Sequence, residues 1–148
     1  MRAAHVKNRE FYKGKRVFVT GHTGFKGAWL TQVLHYLGAE AMGYALAPEE
    51  GCLYEKIDGD RLIENVTGDV RDYKALEAAI QLFQPEIVFH LAALALVKDC
   101  FDDPLKAYET NVMGTVNLME ALRNCKSVKS IVVVTTDKVY ENKGDGAV

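Results

Sequence analysis

The chain has 148 residues, with 18 Lys and Arg against 20 Asp and Glu for a formal net charge of -2; 49% of it is hydrophobic and 26% charged. That balance fits one globular domain, excludes a disordered chain, and offers no electrostatic footprint for nucleic acid or an anionic membrane surface. Cys52, Cys100 and Cys125 form no C-x-x-C pair, and no uncharged run is long enough for a signal core or a bilayer span. A cytoplasmic protein with reduced thiols and no metal is expected.

Residues 1–15 read as a leader in which Lys7, Arg9, Lys13 and Lys15, with the adjoining Arg16, are solvated, and residues 16–148 as one nucleotide-binding domain. Arg16 to Thr20 is an apolar strand that empties directly into Gly21, Gly24 and Gly27, three glycines spaced three apart. In such a turn the first glycine lets the chain leave the strand sharply, the second lets backbone approach a pyrophosphate, and the third lets the following helix lie on the sheet. The helix then aims its free N–H groups at the anion. Phe25, Trp29, Val33 and Leu37 form a helical stripe ended by Gly38. A plain strand-to-helix turn is the competing reading.

Residues 41–46 predict a second strand and 62–68 a third. Asp72 caps a helix carrying Tyr73, Leu76, Ile80 and Phe83, stopped by Pro85. Glu86 to Leu91 reads as the fourth strand. Asp103-Pro104 opens a long helix with Tyr108, Val112, Met119 and Leu122 on its apolar face, and Ser130 to Thr135 is the fifth strand. Strands alternating with helices imply an α/β, Rossmann-type, doubly wound parallel sheet, and right-handed crossovers dictate the strand order 3-2-1-4-5.

A ligand of such a sheet lies at the carboxyl ends of the strands, where Gly68-Asp69-Val70, His90-Leu91-Ala92-Ala93 and Thr135-Thr136-Asp137-Lys138 fall. Asp69 can accept a hydrogen bond from an adenine amino group, or serve as a turn residue, and small Ala92 and Ala93 admit a nucleotide to the backbone. His90 reads as a buried structural histidine; His5, His22 and His35 have no second ligand at metal spacing.

The glycine turn, Gly68-Asp69-Val70, His90-Leu91-Ala92-Ala93 and Asn111-Val112-Met113-Gly114-Thr115 together resemble the extended short-chain dehydrogenase/reductase family of nucleotide-sugar enzymes. Within that family, the wording around Gly21 to Leu30, Phe83 to His90, Tyr108 to Thr115 and Thr136 to Asn142 is similar to the branch that dehydrates CDP-glucose. The resemblance implies NAD as cofactor, held by Gly21, Thr23, Gly24, Phe25, Lys26 and Gly27, by Asp69 and Val70, by Leu91, Ala92 and Ala93, and by Asn111 and Thr135. It also implies CDP-glucose as substrate, with a hydride removed from C4, water lost across C5 and C6, and the hydride returned to C6. Thr136 would then hydrogen-bond the C4 oxygen, Asp137 would protonate the departing C6 hydroxyl, and Lys138 would take the C5 proton. A homodimer through the helix beginning near Pro104 is implied as well.

The sequence departs from the family pattern in three places. The Tyr-x-x-x-Lys pair does not occur, since Tyr140 is followed by Lys143 one position too soon, so these residues by themselves are expected to be inactive. After the second strand stands Leu46-Ala47-Pro48 in place of an acidic residue, and residues 41–55 hold no Lys or Arg, which favours NAD over NADP. Leu94-Ala95 replaces a polar pair. Two readings stay open: the cofactor-binding portion of a dehydratase or related epimerase, and a dinucleotide-binding module without chemistry. Likewise Asp137-Lys138 suits either proton transfer or a charged loop.

Overall fold

The computed structural model describes residues 9–136. Five strands form one parallel sheet: β1 (Arg16–Thr20), β2 (Glu40–Ala45), β3 (Glu64–Thr67), β4 (Ile87–His90) and β5 (Ser130–Val133). Their order is β3-β2-β1-β4-β5, the order expected from the crossover rule. The main helices are α1 (Phe25–Leu37), a short α2 (Leu53–Lys56), α3 (Tyr73–Phe83), short α4 (Val97–Asp102) and α5 (Pro104–Tyr108), and α6 (Gly114–Arg123). None of the described helices is long and apolar enough to cross a membrane.

Alternation along the strands builds a core on each side of the sheet. Val17, Val19 and Ile87 face Leu34 of α1, whereas Phe18, Met42, Tyr44 and Val88 face Leu76 and Ile80 of α3 and Leu118 of α6. At the amino ends, Glu86 accepts hydrogen bonds from Lys15 at 3.2 Å and Lys129 at 2.9 Å, drawing β1, β4 and β5 together. These cations, Lys129 foremost, hold the Glu86 carboxyl down at about 2.

Several expectations need correction. Phe25, Trp29 and Val33 are exposed, and the inward face of α1 is Gly27, Ala28, Thr31, Leu34 and Leu37. The physical reason is steric: α1 begins in contact with the turn, so the smallest residue, Gly27, must face inward and sets the rotation of the helix. The long helix is likewise turned, with Tyr108, Val112 and Met119 exposed and Ala107, Leu118, Ala121 and Leu122 buried. It is also interrupted by a π-helical segment, Glu109–Met113, which shifts every later side chain around the axis. The leader is not simply solvated either. Arg9 lies 5.6 Å from the ring centre of Tyr36, Gly14 N–H bonds the Gly38 carbonyl, and Arg16 Nε donates to the Gln84 carbonyl.

The caps fall where the sequence puts them. Asp72 accepts from the Ala75 N–H at 3.1 Å and Asp103 from the Lys106 N–H at 3.0 Å. By contrast, Thr31 Oγ1 is buried in α1 without a hydrogen-bond partner. Thr31→Val, of equal shape, is therefore expected to stabilise the fold by about 1 kcal/mol, read as a raised urea midpoint. A lower midpoint would mean that the hydroxyl has a partner.

Candidate functional site

The carboxyl ends of β1, β2, β3 and β4 open into a groove of about 200 Å3. Gly21, Thr23 and Gly24 line it from the turn, Asp69 and Val70 from beyond β3, and Leu91, Ala92 and Ala93 from beyond β4. Of the sequence-derived candidates, Phe25, Lys26, Gly27, Asn111 and Thr135 do not line it. Thr135 and Thr136 are exposed just past β5; Asp137 and Lys138 lie outside the described residues. Sequence reasoning missed Arg71, Lys106 and Thr110, which also line the groove and belong to no glycine or strand-end motif.

The turn itself explains its glycines. Gly21 has φ 74, and a Cβ there would sit 2.6 Å from the Ala92 nitrogen. A Cβ on Gly27 would collide with the Gly21 carbonyl oxygen and the His22 backbone. Gly24 differs: its backbone is extended, and a Cβ would meet only the Gly21 oxygen at 3.4 Å. The protein thus leaves space over Gly24 at the N-terminus of α1, a cradle that fits an anionic group approaching the backbone and that a side chain would fill.

His22, between these glycines, is fully buried over Gly43, with its ring edge-on to Tyr54 at 5.0 Å. Asn65 Nδ2 donates to Asp60 at 2.8 Å, so Asn65 Oδ1 accepts from His22 Nε2–H at 2.8 Å. Nδ1 is left as an unpartnered lone pair. The turn is thereby anchored to β3 and to the segment before it. On its other side, Thr23 donates to the Leu46 carbonyl at 3.1 Å.

A second polar chain fixes the β4 loop. Thr20 Oγ1 accepts the N–H groups of Leu91 at 3.2 Å and Ala92 at 3.3 Å, so its hydroxyl donates to His90 Nδ1 at 2.6 Å. His90 Nε2–H then donates to Thr115 at 3.0 Å, and Thr115 donates to the Asn111 carbonyl at 2.7 Å. The Asn111 side chain closes the chain by accepting from the Leu94 N–H at 2.8 Å and donating to its carbonyl at 3.1 Å. Asn111, expected at the cofactor, instead clamps the loop that forms the groove wall.

Burial pushes both imidazoles below the ordinary 6.5, for His22 against the opposing pull of Asn65 and Asp60. Protonation therefore favours the unfolded chain. The contribution is complete above pH 6.5 and is lost as pH falls below it, at up to about 1.4 kcal/mol per pH unit for each histidine. Urea midpoints measured from pH 7.5 to 5 should fall accordingly; a flat profile would show that these rings are not buried neutral.

Asp69 sits at the end of β3. Its carboxylate accepts from Arg71 Nη2 at 2.7 Å, from Nε at 3.0 and 3.1 Å, and from the Arg71 backbone N–H at 2.9 Å. Arg71 holds the Asp69 carboxyl below its ordinary range, outweighing the effect of partial burial. Arg71 Nη1 also reaches Glu109 at 3.2 Å, on the π segment.

Residues 17–147 match the family model described as NAD dependent epimerase/dehydratase family. The chain is 47% identical over 137 residues to CDP-glucose 4,6-dehydratase of Salmonella typhimurium, across 92% of this chain and 38% of that protein. It is 31% identical over 140 residues to a probable dTDP-glucose 4,6-dehydratase of Sinorhizobium fredii, across 88% and 40% respectively. The fold matches UDP-glucose-4-epimerase from Stenotrophomonas maltophila, solved with NAD and formylated UDP-arabinopyranose, at TM-score 0.77 and 25% identity over 90% of this chain and 40% of that one. The chain therefore spans well under half the length of these relatives. Strand order, glycine turn and a match running nearly from end to end agree on one conclusion: the chain belongs to the NAD dependent epimerase/dehydratase family.

Proposed function

We propose that this chain binds NAD+ and forms the cofactor-binding portion of a dehydratase that acts on CDP-glucose in the cytoplasm. The observation that carries the reading is the open space above Gly24 at the head of α1, within a chain 47% identical to a CDP-glucose 4,6-dehydratase. When bound, NAD+ supplies the acceptor and later the donor of a hydride. The chain's own contribution is positional. The N–H groups that open α1 receive the pyrophosphate, Ala92 and Ala93 admit the nucleotide to the backbone of the β4 loop, and Asp69 takes a hydrogen bond from the adenine amino group. Thr136 lies just past the carboxyl end of β5; it and the two residues that follow it in sequence, Asp137 and Lys138, are assigned to the C4 oxygen, the C6 hydroxyl and the C5 proton.

The test uses a full-length form that includes a Tyr-x-x-x-Lys pair. Asp137→Asn and Lys138→Met should still oxidise the sugar but fail to lose water, so NADH accumulates after mixing with CDP-glucose. Thr136→Val should slow oxidation itself. Turnover at the wild-type rate, or failure before any NADH forms in variants that still bind substrate, would withdraw Asp137 and Lys138 from the elimination.

A homodimer through the helix from Pro104 belongs to the same proposal. Tyr108, Val112, Val116 and Met119 lie on one exposed stripe of it, between 37% and 69% accessible, as a face that packs against a second copy would be.

A further inference from the structure

We propose that Arg71 is a positioning residue that sets which purine base the groove accepts, acting through Asp69. The inference rests on the dinucleotide reading and deepens it.

Arg71 lies between two hollows, the groove itself and a shallow depression lined by Asp72, Glu109 and Asn117, and borders both. Its planar fork grips the two oxygens of Asp69, while its own N–H takes a further position on Oδ1. A carboxylate offers about four acceptor positions. Three N–H groups of Arg71 fill most of that capacity, the Nε–H being shared between Oδ1 at 3.1 Å and Oδ2 at 3.0 Å, which leaves room for a single further donor. The grip cannot rotate, because Nη1 is held by Glu109 and the Asp69 carbonyl is held by the Tyr44 hydroxyl at 3.3 Å and the Asp72 N–H at 2.9 Å. A carboxylate kept ionised and fixed in this way accepts from the exocyclic amino group of adenine and repels the C6 carbonyl oxygen of hypoxanthine.

The experiment is a calorimetric titration of the 148-residue chain with NAD+ and with its hypoxanthine analogue, deamino-NAD+. The wild type should prefer NAD+ by about tenfold or more. In Arg71→Ala the preference should fall to about twofold or less, because Asp69 becomes free to turn to solvent. Loss of one positive charge weakens both dinucleotides alike, so the ratio separates base reading from general attraction. Equal weakening of both ligands at an unchanged ratio would leave Arg71 a structural role only and overturn the proposal. Absence of any preference in the wild type would overturn it too. If the wild type bound neither dinucleotide, the cofactor reading itself would fail, a result visible before any variant is made. Should thermal melts show that Arg71→Ala does not fold, Glu109→Gln and Arg71→Lys decide, since each loosens the fork without removing the Asp69 charge. A reduced ratio in them supports the proposal, and a wild-type ratio overturns it.

Discussion

Gly24→Val is expected to lower the affinity for NAD+ at least 100-fold while the protein stays folded. The two halves of this result come from one observation. Gly24 has an extended backbone that any residue adopts, and a Cβ there touches nothing closer than the Gly21 oxygen at 3.4 Å. The fold therefore tolerates the side chain, at a cost of about 1 kcal/mol for an inferior helix cap. The ligand does not, because the branched side chain fills the space over the N–H groups that would meet the pyrophosphate, and a 100-fold loss is about 2.7 kcal/mol. Gly27→Ala supplies the contrast. Its Cβ would collide with the Gly21 carbonyl, so α1 must move off the sheet, and a loss of about 3 kcal/mol or more in stability is expected. Calorimetry with a thermal melt on each variant separates the two. Unchanged affinity in folded Gly24→Val would remove the turn from the cofactor site.

Thr20→Val should have the largest effect on stability of any change that preserves side-chain shape. The hydroxyl is fully buried and serves Leu91, Ala92 and His90 at once. Leu91 keeps a second bond, to the Thr20 carbonyl at 3.1 Å, but the Ala92 N–H loses its hydroxyl acceptor and His90 Nδ1 its donor. Leaving these two groups unpaired, the buried His90 ring nitrogen and the half-buried Ala92 N–H, costs about 3 kcal/mol together. Urea unfolding measures it, with Thr31→Val as the matched control: the same substitution, also buried, with the opposite sign expected. A loss at Thr20 below about 0.5 kcal/mol would mean that the β4 loop is held by something other than this chain. Thr115→Val, at the far side of His90, should combine with it less than additively, since both cut the same chain of bonds.

The fold was legible because its signals are local. The strand runs, the caps at Asp72 and Asp103 and the glycine turn each depend on neighbours a few residues away, and a handedness rule converts that list of elements into a strand order. The positions of Gly21, Gly24 and Gly27 were likewise readable, since a strand that ends in glycine and restarts as a helix has few other uses. What each glycine does was not readable: only the Cβ positions separate Gly24, which faces open space, from Gly21 and Gly27, which face backbone.

Tertiary structure alone decided the rest. Apolar spacing placed Phe25, Trp29 and Val33 on the inner face of α1, but a stripe on a helix has no sign until the helix meets its sheet, and the closest approach is at Gly27. The π segment Glu109–Met113 changes the phase of the side chains that follow it, where Met119 is exposed and Leu118, Ala121 and Leu122 are buried, a shift that regular periodicity cannot represent. Asn111 and Asp69 both carry polar groups suited to a ligand, yet their first partners are Leu94 and Arg71, reached across 17 residues in one case and 2 in the other. By itself, the sequence determined which residues stand at the carboxyl ends of the strands; only the folded chain decided which of their hydrogen bonds are already spent within the protein and which remain for a ligand, because that allocation depends on how the backbone orients each polar group toward its neighbours, near or far in sequence.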